Sequence, residues 1–261
     1  MPDRDERQPQ RRRRLAPGVG IFRLADRPVL RTASGQFFDM QVDVGSELGD
    51  LPPHAIAAFE RQGLFAAGES AAPWPVAVVG TGLIATALVE LLPRAGLPAE
   101  PVTAAELSAR LAAADARLPA AVSWCCDGLP LADWCETGAA LISAGVAWQR
   151  CSVEGACAVL EPVAMNADDV DHADVRGRRM AASESPEHLA AYWADEPLHA
   201  EPALGVVEAH LVAALLAAEL VRCSHGGGLT RTLRLVDLLS QTVSDHQILP
   251  LPPVPARAER S

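Results

Sequence analysis

The stretch 76–92, Val-Ala-Val-Val-Gly-Thr-Gly-Leu-Ile-Ala-Thr-Ala-Leu-Val-Glu-Leu-Leu, constrains this chain more than any other. Val76, Val78 and Val79 supply a short β-branched run that reads as a strand. Gly80 and Gly82 then frame a turn, after which Leu83, Ala87, Leu88, Leu91 and Leu92 recur at helical spacing. Strand, tight turn and helix form the opening unit of a parallel, nucleotide-binding type of sheet. Gly80-Thr-Gly-Leu-Ile-Ala85 has the G-x-G-x-x-G/A form. The first glycine permits the turn, the second lets a ligand approach the backbone, and the small Ala85 lets helix and strand pack closely. The expected fold class is α/β with a Rossmann-like parallel sheet.

At 261 residues the chain can hold one large domain or two smaller ones. Hydrophobic residues make up 49% and aromatics only 4%, so the core must be built from Ala, Leu and Val, and a site of stacked aromatics is not expected. A formal net charge of −11 repels a phosphate backbone and argues against a nucleic-acid partner. The sequence contains no lysine, which excludes a Walker-type lysine, a Schiff base and a lysine general base. Six cysteines (Cys125, Cys126, Cys135, Cys151, Cys157, Cys223) form no C-x-x-C pair. With no secretory signal, they read as reduced thiols of a cytoplasmic protein. The most aliphatic helix, near 206–222, carries Glu208, His210 and Glu219 and is too short and too charged to span a membrane.

Residues 1–14 end in Arg11-Arg-Arg-Arg14 and read as a disordered tail. From 15 to 67 comes a small unit. Gly20-Ile-Phe-Arg-Leu24, Pro28-Val-Leu-Arg-Thr32 and Phe37-Phe-Asp-Met-Gln-Val42 read as three strands, and 54–65 as a helix stopped by Gly63. A linker at 68–75 precedes the larger domain, 76–250, and a proline-rich tail, 251–261, closes the chain. Glu100 lies where such sheets place a ribose-binding acid, although carboxylates are frequent here. Asp127 follows the strand 119–126, at the sheet edge where ligands bind, and reads either as a polar site residue or as a cap. Helices at 104–117 and 134–144 flank that strand, and 146–160 forms a hairpin around Glu154-Gly155. Residues 162–179 read as a polar loop; its Asp168, Asp169, Asp171, His172 and Asp174 lack a defined ligand geometry, which favours solvation over a metal. The glycines at 226–228 form a helix C-cap or cradle a phosphate. A helix at 186–193 precedes the long one, and strands at 230–236 and 238–243 follow it.

Taken in this order, the chain resembles, over about 15–253, the ThiF-like proteins of azole-peptide biosynthesis, the leader-peptide-binding, cyclodehydratase-associated members of the ubiquitin-activating-type superfamily. The local likeness runs from Gly145-Val-Ala-Trp148 through Glu154-Gly155 and Glu161-Pro162 to Arg178-Arg179. The resemblance implies a ThiF-type domain preceded by a small winged-helix-like unit, which receives a leader peptide as an added strand beside its third strand and against its last helix. Phe37, Phe38, Met40, Ile56, Phe59 and Leu64 are then the peptide-binding candidates. It also implies a zinc knuckle of two cysteine pairs. Here Asp171 and Asp174 stand in place of the first pair, and Leu249-Pro-Leu-Pro252 in place of the second. Loss of four thiolates implies loss of the metal, so no cofactor is expected. Gly80, Gly82, Ala85, Glu100 and Asp127 survive as partial matches to a nucleotide site.

The resulting expectation is a non-catalytic protein that recognises a precursor leader peptide and presents it to a YcaO-type cyclodehydratase in azole or thiopeptide antibiotic biosynthesis, with no membrane or nucleic-acid partner. Related proteins often pair, and the helix from Val206 could serve a homodimer or belong to the core. The competing expectation is an adenylating or NAD(P)-dependent enzyme using the Gly80 to Ala85 turn.

Overall fold

A computed structural model describes residues 14–42, 51–65, 74–113, 116–130, 134–194 and 204–251. The expected tails at 1–14 and 251–261 fall outside these residues apart from Arg14 and Leu251, as does the linker 68–75 apart from Trp74 and Pro75. The chain divides into two compact units, Met1–Ala71 and Ala72–Ser261.

In the first unit, β1 (Gly20–Leu24), β2 (Arg27–Arg31) and β3 (Phe37–Asp39) form an antiparallel sheet in that order, followed by α1 (Pro53–Arg61). Ala25 and Asp26 turn β1 into β2 with φ of 46° and 64°, the left-handed pair that matches the twist of a two-residue hairpin. Gly63, at φ 63°, ends α1, and the Leu64 N–H returns to the Phe59 carbonyl at 2.9 Å. Leu30 points from the central strand onto Leu51, Ala55, Phe59 and Leu64, which make a small core of the unit's own.

The second unit runs β4 (Val76–Val79), α2 (Leu83–Arg94), β5 (Ala99–Val102), α3 (Ala104–Ala112), β6 (Ala121–Cys125), α4 (Trp134–Ser143), β7 (Ala147–Glu154), β8 (Cys157–Leu160), α5 (His172–Ala182), α6 (Pro186–Ala194), α7 (Val206–Ser224), β9 (Thr232–Asp237) and β10 (Thr242–Gln247). The sheet order is β10-β9-β8-β7-β6-β4-β5. Strands β5, β4, β6 and β7 are parallel, and the rest antiparallel. Alternate residues of β4 serve two cores: Val76 and Val78 face α2 and α7, while Ala77 and Val79 join Trp124, Trp134 and Trp148. Both faces of these strands are therefore covered, as in parallel sheets generally. α7 packs on α2 and buries Ala209, Val212, Ala213, Leu216 and Leu220, so this face of the aliphatic helix is occupied by the unit's own core.

Three sequence expectations change. The polar stretch 162–179 contains the start of a helix: Asp171 and Asp174 form a capping box that opens α5. The last strand is Thr242–Gln247 rather than 238–243, because Leu238 to Gln241 make the hairpin turn, with Gln241 at φ 55°. The helix expected at 104–117 stops at Ala112. The polar residues Gln149, Arg150 and Ser152 of β7 are buried. Gln149 accepts from Ser123 Oγ at 2.8 Å and donates to the Leu216 carbonyl at 3.1 Å. Arg150 Nε lies 2.8 Å from Glu161 Oε2, a buried ion pair. Burial pulls the Arg150 pKa down, against the opposing pull of Glu161. His172 Nδ1 lies 2.7 Å from the other Glu161 oxygen.

The two margins of the sheet differ. Val76 N–H donates to the Pro98 carbonyl, so by alternation Glu100 and Val102 turn their backbone toward β4 while Ala99 and Pro101 turn theirs outward. Pro101 therefore removes a donor from the outer edge of β5. Among the described residues no helix is long and apolar enough to cross a membrane.

Candidate functional site

The turn between β4 and α2 is held by β6, its neighbour in the sheet. Gly80 adopts φ 135°, and a Cβ there would lie 2.3 Å from the Cys125 carbonyl oxygen and 3.2 Å from the Ala85 Cβ. Only glycine suits that position, and the small Ala85 is what lets α2 approach. Gly82 is the N-cap of α2 and has no side chain with which to cap it. The cap comes from another strand: the Leu83 N–H donates to Asp127 Oδ2 at 2.5 Å, and the Ile84 N–H to Oδ1 at 3.3 Å. A Cβ at position 82 would fall 2.3 Å from the Asp127 carboxyl carbon. Glycine at 82 thus admits a ligand, and that ligand is the chain's own carboxylate.

The positive end of a helix and its free N–H groups attract phosphate in folds of this type. In this chain the same groups are engaged by Asp127, two residues beyond the end of β6. The structure brings Gly80, Gly82, Ala85 and Asp127 together. It does not bring Glu100 to them: Glu100 pairs in register with Ala77, below the turn, and its carboxylate binds Arg110 of α3. Sequence reasoning gave no part to Arg110 or to the Leu83 and Ile84 amides.

The peptide candidates divide by burial. In the ladder, Met40 N–H donates to the Pro28 carbonyl and Thr32 N–H to the Gln36 carbonyl, so Phe38 faces β2 and the backbone groups of Phe37 and Asp39 point outward. Among the described residues β3 pairs with β2 alone. Phe37 and Phe38 are 61% and 51% exposed. Phe37 stacks edge-on against Phe22 on the face away from α1, while Phe38 shares the α1-facing side with Leu30. Met40 and Ile56 are half-buried at the margin of the core; Phe59 and Leu64, at 6% and 9%, lie within it. These last two are core residues rather than surface ones.

The zinc implied by the resemblance does not fit these residues. Asp171 Oδ1 accepts the Asp174 N–H at 2.8 Å, and Asp174 Oδ2 accepts the Asp171 N–H at 3.1 Å. Asp169 Oδ2 likewise holds the Met165 and Asn166 amides. The facing segment, Leu249 to Leu251, offers no side-chain donor. Among the described residues no group of three or more His, Cys, Asp or Glu side chains is placed to hold a metal ion.

Several solved structures share this architecture. A heterocyclase in complex with substrate and cofactor matches at TM-score 0.63 with 11% identity, over 91% of this chain and 38% of that one. The heterocyclase TruD matches at 0.64 with 10% identity, over 93% and 42%. E. coli MccB matches at 0.55 with 9% identity, over 92% and 95%. The fold is shared. This chain spans only about two-fifths of the two heterocyclases it matches, and identities this low carry the fold alone. No protein-family model and no curated protein matches the sequence.

Proposed function

We propose that this chain is a non-catalytic recognition and scaffold protein. It takes the leader segment of a ribosomally made precursor peptide along the outer edge of β3 and presents that peptide to a YcaO-type cyclodehydratase in azole-forming, thiopeptide-type biosynthesis. The fold shared with heterocyclases, one of them solved with substrate bound, supports this class of role. The observation that carries the reading is the edge itself. The backbone groups of Phe37 and Asp39 point away from β2, beside two phenylalanines that are more than half exposed. An extended peptide gains main-chain hydrogen bonds at such an edge and selectivity from the side-chain pockets beside it.

The closed turn supports the non-catalytic part. Adenylation or hydride chemistry at Gly80 to Ala85 would require Asp127 to leave the α2 amides before a phosphate could reach them. ATP chemistry then belongs to the partner enzyme.

Fluorescence polarisation with the labelled leader peptide encoded beside this protein tests the reading. Binding in the micromolar range or tighter is expected. Asp39→Pro, which removes one outward N–H while leaving the Met40 and Phe38 ladder to β2 intact, should weaken it about tenfold, near 1.4 kcal/mol. Absence of binding with and without the cyclodehydratase would overturn the proposal. So would calorimetry showing ATP or NAD(P)H binding that Gly82→Asp abolishes.

A further inference from the structure

Asp174, Gly177 and Arg178 stand at i, i+3 and i+4 of α5, so they share one side of the helix. The segment 249–251 runs along that side. The Leu251 N–H donates to Asp174 Oδ1 at 2.6 Å. Arg178 forks onto the two preceding carbonyls, Nε to Leu249 and Nη2 to Pro250, at 3.0 Å each. A Cβ at position 177 would fall 2.5 Å from Leu251 Cδ1. The missing side chain of Gly177 is therefore the notch into which Leu251 fits. One residue earlier, Ile248 is buried with Val170 and Val175 of the same region, and its N–H donates to the Arg231 carbonyl at 2.8 Å.

Asp174 serves two ends at once. One oxygen closes the first turn of α5 through the Asp171 amide, and the other holds Leu251.

We infer that this side of α5 is a built peptide slot, that segment 249–251 is its resident ligand, and that the two make a metal-independent clasp. The clasp joins the same two places where the resemblance implies cysteine pairs around zinc. Its parts are complementary in chemistry: a carboxylate for the Leu251 amide, a guanidinium for two carbonyls, and a notch for an aliphatic side chain. Pro250 has no N–H to leave unsatisfied between them. The fork matters because a lysine carries a point charge and does not reproduce the planar geometry that reaches two carbonyls.

Hydrogen exchange of the full chain, read at the Leu251 amide with the mid-α5 amides as internal reference, tests the clasp. In the wild type the Leu251 amide should exchange at least about tenfold more slowly than in the urea-unfolded chain. EDTA should change neither that rate nor the melting temperature. Arg178→Ala should speed Leu251 exchange about tenfold, the equivalent of about 1.4 kcal/mol, with α5 still protected, and Arg178→Lys should recover only part of the loss. Should Arg178→Ala fail to fold, Gly177→Leu fills the notch while favouring the helix and must release Leu251 alone. Exchange of Leu251 at the unfolded rate in the wild type would overturn the inference. Stoichiometric zinc in the purified protein, or faster exchange in EDTA, would do the same.

Discussion

Removing the Asp127 carboxylate should both weaken the second unit and create an anion site where none is now open. Asp127 is the side-chain acceptor for the Leu83 and Ile84 amides, and the N-cap residue, Gly82, offers no other. Loss of a capping carboxylate typically costs about 0.5–2 kcal/mol. Leu83 is 42% exposed, so water can reach its amide in the variant, which places Asp127→Ala near about 1 kcal/mol rather than at the top of that range. For a unit of this size each kcal/mol moves the midpoint about 2–4 °C. Differential scanning calorimetry of the full chain should therefore show the second unit melting about 2–4 °C lower in Asp127→Ala. The freed amides at the positive end of α2 should then take phosphate. An anion bound with a dissociation constant of about 10 mM and supplied at about 100 mM returns about 1.4 kcal/mol. Phosphate should thus restore the variant's midpoint while moving the wild type only by its general salting effect. Equal shifts in the two proteins, or an unchanged midpoint in the variant without phosphate, would refute the assignment of Asp127 as an internal substitute for phosphate.

Other consequences can be checked alongside. Gly82→Ala places a Cβ against the Asp127 carboxylate and should reproduce the destabilisation of Asp127→Ala; a melting temperature equal to wild type would contradict the close approach. Glu161→Ala leaves the buried Arg150 guanidinium without its counter-ion, with only the Pro162 and Val170 carbonyls as acceptors, and should cost about 3–5 kcal/mol in urea unfolding, the range for breaking a buried ion pair. Burial pushes the Cys125 and Cys223 thiols up to about 12 and Cys151 well above its ordinary value. At neutral pH a thiol reagent should therefore label the exposed Cys135 first and reach Cys125 and Cys151 only after unfolding. The same shifts set a pH dependence. Above pH 9.0, the ordinary thiol value, the unfolded chain releases protons that these native thiols keep, so stability should fall as pH rises from there toward 12. A midpoint that stays flat between pH 8 and 10.5 would argue against it.

How much of this was legible depends on whether the signal is local. The β4 to α2 stretch announced itself because a β-branched run, two glycines and a 3.6-residue period coincide within 76–92. The three strands of the first unit were marked by turn residues in the same way. α5 was hidden because the stretch leading into it is rich in aspartate and only His172 and Val175 of its residues are buried, too few to set a helical period; the Asp-x-x-Asp capping pair was the available cue. β10 is exposed along its whole length, so no alternation of apolar residues fixed its position. For Asp127 the place, and a cap as one of two roles, were readable from its position after a strand, but not which helix it caps, since those amides lie 44 and 43 residues away in sequence. Glu100 satisfied the spacing of a ribose-binding acid, yet a spacing rule is blind to an arginine one helix further on.

Pro101 gives the larger sheet a margin at which growth stops. A foreign strand approaching β5 finds no amide at that position to bond, and edge-to-edge stacking of many copies, the usual route from an open sheet to a fibril, is interrupted there. On this side the larger unit therefore presents no continuous row of donors to a second copy.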